Sequence, residues 1–376
     1  MTDTKENVLI VNKYTPILVS VGVLAFIYCL KHAYVITSNG YLFTLFDNAE
    51  NIFYIILAIS ILCSKKFSKV KLISISIVTC FLAINLFGNG YAALLRAFLL
   101  IVAVKDIEYK KICGTLYKAM IIGFLVVVLM YILGISDAGI LRRGRIAIGF
   151  SSANVCSYII QTMCLLRLYL RKDCAKKNEI FIYIVVAIFD FMLIGSRNSA
   201  LIIGTSPLII YLVREFFKHK QHRIFRWIFT IIPVICLFLT MFSTILYDKS
   251  KVIQMLNIIL SARIFLNYYN YNRYGLTLFG QKLSFNDGRV LFNSVTNQYS
   301  TYNTIDSSYM CLLLQFGIVP TVIALFFCCF LYKRLFQKNQ FELIAIFSMI
   351  CFFGLFESSM IEIIIAFPLL ALLAKF

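Results

Sequence analysis

The sequence predicts an all-α integral membrane protein of about 12 transmembrane helices, with one large outward loop before the tenth. Three observations carry that expectation. Of the 376 residues, 61% are hydrophobic and the mean hydropathy is +0.87, far above the roughly 45–50% apolar content of soluble domains. A soluble core cannot absorb that much apolar surface; a bilayer can. The apolar residues also come in long runs, and the basic residues gather in every second connector between those runs.

The runs fall at about 16–36, 51–63, 72–87, 91–104, 116–134, 146–170, 180–195, 198–213, 224–247, 306–332, 341–356 and 359–374. Several are shorter than the roughly 18 residues that a helical span needs, so they must borrow from their flanks or be partly re-entrant. Lys65, Lys66, Lys69 and Lys71 follow the second run, and Lys105, Lys110, Lys111 and Lys118 the fourth. Arg171, Lys172, Lys176 and Lys177 follow the sixth, Arg214, Lys218, Lys220, Arg223 and Arg226 the eighth, and Lys333, Arg334 and Lys338 the tenth. Basic connectors stay in the cytoplasm, which places both termini there. The net charge of +19 is thereby explained by topology, and nucleic acid is not an expected partner.

The other connectors then face outward: 37–50, 87–91, 135–145, 195–198, the long loop, and the turn near Glu357 and Ser358. Without a repeat or a low-complexity linker, residues 1–376 read as a single polytopic membrane domain, with 248–305 as its large extracytoplasmic loop. Within that loop Leu256, Ile259, Leu260, Ile264, Tyr268 and Tyr271 recur at helical spacing and predict one interfacial helix over 252–274. The FNDG stretch at 285–288 is a turn signal, and 293–306 reads as irregular polar chain. The start lacks a signal-peptide cleavage pattern, so the first run is expected to be an uncleaved anchor. The 12 cysteines are scattered through apolar runs with no C-x-x-C, and the three histidines have no ligand-like spacing. No metal and no cofactor is expected.

The informative charges stand on the outward side. Arg142, Arg143 and Arg145 crowd one short connector, Arg197 sits in another, Arg263, Arg273 and Arg289 lie in the long loop, and Arg96 stands near the outer end of the fourth run. A guanidinium is always charged and its planar fork suits phosphate oxygens, so this set predicts a site for an anion such as a lipid diphosphate. The plainer alternative is snorkelling to phospholipid headgroups. Asp306 stands where polar loop becomes apolar helix. It reads either as a helix N-cap or as a carboxylate base for a sugar hydroxyl, and the two roles are compatible. Asp190 lies inside the seventh run, with Arg197 or Arg96 as its expected partner. The loop tyrosines (Tyr268, Tyr269, Tyr271, Tyr274, Tyr299, Tyr302, Tyr309) suit an interfacial belt, or stacking on sugars.

Four stretches, in this order, resemble the Wzy-type polysaccharide polymerases, which are related to the O-antigen ligases: RRGRIAIGFSSANVCS, LIGSRNSALI, SARIFLNYYNYNRYGLTLFGQ and DSSYMCLLLQFGIVP. They cover roughly residues 139–320. Ser307 stands where that family commonly has Asn, and Asp306 where the ligases have His. The resemblance implies an inverting glycosyltransferase of the bacterial cytoplasmic membrane that joins undecaprenyl-diphosphate-linked oligosaccharide repeat units on the outer face. It implies Asp306 as the catalytic residue. Arg142, Arg143, Arg145, Arg197, Arg263, Arg289, Asn154 and Tyr309 are implied as the diphosphate- and glycan-binding set. The implied partners are the lipid-linked glycans, the lipid bilayer, a flippase and a chain-length regulator. The competing expectations are an O-antigen-ligase-like transferase, a flippase or transporter for a lipid-linked oligosaccharide, and a scaffold without chemistry.

Overall fold

The computed structural model describes residues 3–64, 69–136, 140–141, 145–171, 177–219, 223–285, 291–293, 298–300 and 304–376. The chain is an all-α, multi-pass membrane protein. Its first half comprises α1 (Asp3–Lys31), α2 (Tyr34–Thr37), α3 (Gly40–Ser64), α4 (Lys69–Asn89), α5 (Ala93–Ala103), α6 (Tyr109–Ile132) and a small ribbon of β1 (Ile140–Leu141) with β2 (Arg145–Ile146). Next come α7 (Ala153–Arg171), α8 (Lys177–Phe189) running into a π-helical turn (Asp190–Ile194), α9 (Arg197–His219), α10 (Arg223–Ile245), α11 (Lys251–Ile259) and α12 (Arg263–Tyr274). The chain closes with ribbon β3 (Leu291–Asn293) and β4 (Gln298–Ser300), then α13 (Ser308–Cys311) with a second π-helical turn (Leu312–Phe316), α14 (Ile318–Gln337), α15 (Phe341–Phe353) and two short 3₁₀ turns.

Six of these helices are long and apolar enough to cross a bilayer: Tyr14–Lys31, Gly40–Leu62, Tyr109–Ile132, Arg197–Lys218, Arg223–Ile245 and Ile318–Gln337. A seventh is gained if α11 and α12, bent by 118° at their junction, count as one span. Helices α5 and α15 are apolar but shorter. Exposed Phe, Ile and Leu side chains cover the outsides of α3, α8 and α10, as a hydrocarbon solvent requires.

Close packing between helices is built on small residues. Cβ atoms added at Gly22 and Gly123 of α1 and α6 would lie 3.1 Å from the Thr115 methyl and 2.8 Å from the Cys29 Cβ. Such approach lets dispersion contacts hold helices together where lipid removes the hydrophobic driving force. The core runs through α1, α6, α7, α9 and α15, with Tyr109, Phe150, Tyr332 and Phe347 fully buried.

Four expectations change. Residues 40–50 are not a connector; they are the first turns of α3, because Asp47 and Glu50 find cations within the fold. Lys31 Nζ lies 2.5 Å from Asp47 and 2.9 Å from Glu50, and Arg96 lies 3.1 Å from Glu50. The final apolar run, 359–374, is not an α-helix but two 3₁₀ turns and the bend between them, with side chains such as Ile365 and Phe367 buried in protein. Irregular backbone is tolerated at membrane depth only when protein covers it. Its end is tied down by Tyr109 N donating to Lys375 O at 2.8 Å and Lys375 N donating to Ile107 O at 2.7 Å.

The single helix expected over 252–274 is two helices. Ser261 and Ala262 both take positive φ, 56° and 66°, and reverse the chain between them. The break is repaired by Asn257, a buried residue whose Oδ1 accepts from Phe265 N at 2.9 Å. This satisfies one of the orphan N–H groups that every helix start leaves. Finally, 293–306 is not wholly irregular, since β3 pairs antiparallel with β4 (Phe292 opposite Tyr299). The turn expected at 285–288 falls almost entirely outside the described residues.

The segment after α12 is pinned to the start of α14. Ile318 N and Val319 N donate to Thr277 O and Leu278 O, and Asn85 of α4 donates to Phe279 O at 2.7 Å. Gly280 and Gly317 meet here with positive φ. A Cβ at Gly280 would sit 2.1 Å from Gln315 O, so only glycine fits.

Candidate functional site

A polar cavity of about 150 Å³ lies where β2, the N-terminal ends of α7, α9 and α12, the segment leading into α13 and the turn after α15 come together. Its charged lining is Arg145, Arg197, Arg263, Asp306 and Glu357, with Asn154 and Asn198 among the neutral groups. A larger cavity of about 170 Å³, between α4, α5 and α14, is lined by residues such as Leu82, Phe98 and Phe327 and holds no charged side chain. Chemistry that needs charge belongs to the first.

Each charged residue has a local reason for its place. Ser152 caps α7, its Oγ accepting from Val155 N at 3.2 Å, and sets Asn154 in the first turn facing the cavity. The π-helical turn ends at Gly195, whose φ of 75° lets its N–H return to Asp190 O at 2.8 Å. A Cβ at Gly195 would meet the Arg145 side chain at 2.9 Å, so the bare glycine is the floor on which the Arg145 stem rests. Arg197 and Asn198 then open α9. The first N–H groups of that helix have no intrahelical partner and favour anions.

Beneath the floor, Asp190 is fully buried, and its two oxygens lie 2.6 Å from Ser157 Oγ. The expected arginine partners are not there: Arg96 is taken by Glu50 and by Asn51 Oδ1 at 2.7 Å. Asp190 therefore ties α7 to the π-helical turn and does not line the cavity.

Arg263 opens α12 directly after the reversed chain at Ser261 and Ala262. Its Nη2 donates to Glu357 Oε1 at 2.7 Å, its Nη1 donates to Phe356 O, and its Nε lies 3.8 Å from Asp306 Oδ2. Asp306 also accepts from Thr304 Oγ1 at 3.0 Å. It does not cap a helix: Ser307 holds the N-cap position of α13, with no side-chain cap bond. The capping reading therefore falls away, and the Asp306 carboxylate lines the cavity. Ser308 Oγ donates to Glu357 O at 2.5 Å and Ser308 N to Gly354 O at 2.9 Å, so the backbones bearing the two carboxylates are laced together.

The electrostatics are uneven. Burial pushes the Glu357 carboxyl upward and Asp306 adds repulsion, while Arg263 and a hydrogen bond from Asn198 pull the other way. Arg197, by contrast, is exposed and makes no hydrogen bond or ion pair with any of the described residues. The cavity thus holds three guanidiniums against two carboxylates, and among the described residues Arg197 meets no carboxylate.

Five of the residues expected at the site meet here: Asp306, Arg145, Arg197, Arg263 and Asn154. Arg142, Arg143 and Arg289 lie outside the described residues. Tyr309 does not join them. It is fully buried in the main core and its hydroxyl donates to Cys351 O at 3.0 Å, because the first turn of α13 points its ring inward against α15. Glu357 and Asn198 were missed as site residues. The signal for Glu357 was the one used for Asp306, a carboxylate at the junction of a connector and an apolar run.

No family model matches the chain, no curated protein matches it, and no solved structure matches its fold.

Proposed function

We propose that the protein is a polysaccharide polymerase, an inverting glycosyltransferase that joins undecaprenyl-diphosphate-linked repeat units at the outer face of the bacterial cytoplasmic membrane. The observation that carries this reading is the convergence of Arg145, Arg197, Arg263 and Asp306 on one cavity, although they span 161 positions of sequence (306 − 145). In this reading the chain crosses about 12 times, the short apolar helices and broken segments completing the count. Both termini are cytoplasmic, and the cavity opens on the outer side.

The acceptor sugar hydroxyl attacks the anomeric carbon of the growing chain. The new C–O bond forms as the bond to the diphosphate oxygen breaks, and the electron pair leaves with the polyprenyl diphosphate. Asp306 takes the hydroxyl proton. Arg197, which meets no carboxylate among the described residues, and Arg145 meet the charge that grows on the leaving diphosphate, where fixed cations lower the barrier most. Asn154 and Asn198 offer amides to the sugars. An O-antigen-ligase-like transfer would use the same groups and differ only in acceptor. The flippase reading draws less support, since Asp190 and Arg96, its candidate pathway charges, are engaged by Ser157 and by Glu50 and Asn51.

The test is reconstitution. Protein purified in detergent and given lipid-diphosphate-linked repeat units should form a ladder spaced by one repeat, without nucleotide sugar or added metal. Absence of a ladder, with the same lipid crossing proteoliposome bilayers faster, would replace the polymerase by the flippase.

A further inference from the structure

Arg263 is held on three sides. Glu357 Oε1 receives Nη2 at 2.7 Å, Phe356 O receives Nη1, and Asp306 Oδ2 stands 3.8 Å from Nε. With 16% of its side chain accessible, this guanidinium has little room for another anion while both carboxylates keep their places. Yet it lines the same cavity as Arg145 and Arg197. An anionic group drawn in by those two must contend with Glu357 for the third.

We propose that Glu357 competes with an anionic ligand for Arg263, so that binding of the anion and protonation of Glu357 are coupled. This rests on the anion-binding role given to the cavity above. The groups around Glu357 make the exchange one-sided. Arg263 of α12 faces it with a direct charge contact, Asp306 before α13 adds negative charge, Arg145 of β2 and Arg197 of α9 share the cavity, Asn198 of α9 hydrogen-bonds it, and Tyr158 of α7 is within electrostatic reach. Moving Arg263 onto a phosphate leaves Glu357 a buried carboxylate beside Asp306 without its cation. A buried charge in that position takes a proton rather than stay ionised. Burial already favours the protonated form. By reciprocity, a proton that the anion helps Glu357 to bind must help the anion to bind.

The test uses inorganic pyrophosphate as probe, titrated calorimetrically into the full-length, detergent-solubilised protein at several pH values. Glu357→Gln keeps the shape and removes the competing charge. The ratio of variant to wild-type affinity cancels the probe's own titration. The variant should bind about tenfold tighter near pH 8, the two affinities converging toward pH 5. Glu357→Asp, with a shorter reach but the same charge, should bind more tightly than wild type near pH 8 and keep the pH dependence. It serves as the second variant if the amide does not yield folded protein.

An affinity ratio that stays flat across pH, or weaker binding in Glu357→Gln, would overturn the coupling while leaving the anion site standing. Failure of every form to bind pyrophosphate at any pH would remove both. A missing ladder in the reconstitution assay, with the pH-dependent ratio intact, would remove only the polymerase.

Discussion

Arg263 Nη2 and Glu357 Oε1 lie 2.7 Å apart although 94 positions separate them in sequence. The contact joins the break between α11 and α12 to the turn after α15. Its two side chains are 16% and 11% accessible, so neither group can turn to water if the other is lost.

Arg263→Ala should therefore act on folding as well as on chemistry. Removing one partner of a buried pair leaves the other uncompensated, at about 3 kcal/mol. Thermal unfolding in detergent should show a clear loss for Arg263→Ala. Arg197→Ala, which breaks no ion pair among the described residues, should unfold as wild type does. Both should fail to make polymer. A stable Arg263→Ala protein with normal ladders would remove Arg263 from the site.

Gly195→Ala tests the seat of Arg145. The substitution puts a Cβ where the Arg145 side chain passes at 2.9 Å, at a φ of 75°. Left-handed backbone costs a non-glycine residue about 1–2 kcal/mol, and the arginine must also move. The expected result is a modest drop in unfolding temperature with a large drop in ladder formation, about tenfold or more. Loss of stability alone would mean that Arg145 does not touch substrate.

Gly280→Ala and Gly317→Ala should be far worse. Added Cβ atoms would lie 2.1 Å from Gln315 O and 2.2 Å from Gly280 N. Those neighbours are backbone, so no side chain can swing away. A loss of about 4 kcal/mol or more is expected, read as failure to recover monodisperse protein. Normal recovery would mean that the contact between these two segments is not formed.

Ser157→Ala leaves the buried Asp190 carboxyl without its hydroxyl partner. Orphaning a buried polar group costs about 1–3 kcal/mol. Asp190→Asn, which still bonds to Ser157, should keep most of the wild-type unfolding temperature. If both variants melt alike, the pair contributes nothing to the tie between α7 and the π-helical turn.

Glu357 also gives stability a pH slope. Its carboxyl lies above the ordinary value of 4.5, so the folded chain holds that proton more tightly than the unfolded chain. Where the folded form binds more protons, stability falls as pH rises. The loss begins near the ordinary value and is complete above the raised one. Unfolding temperatures of wild type and Glu357→Gln measured between about pH 4 and pH 8 should diverge as pH rises, wild type losing more. A constant difference would contradict the shift.

The sequence by itself determined the solvent of this protein and the candidates for its chemistry. Apolar content and long runs demand a bilayer whatever the fold, because no soluble surface covers so many Phe, Ile and Leu side chains. Charges at the edges of apolar runs stand out in so apolar a chain, so Arg145, Arg197, Arg263 and Asp306 were visible one by one. Only the tertiary structure decided which of them meet. Hydropathy counts residues but does not see a partner, so it could not show that Asp47 and Glu50 ride inside a helix on Lys31 and Arg96. Nor could it show that the last apolar run is irregular backbone covered by protein rather than a lipid-facing helix. The reversal at Ser261 and Ala262 carries no glycine to announce it; it exists because Asn257 holds the start of the next helix. That reversal, together with the lacing of Ser308 to Glu357 and Gly354, sets Arg263 between two carboxylates from distant parts of the chain. Such an arrangement depends on three-dimensional closure, which no local pattern encodes.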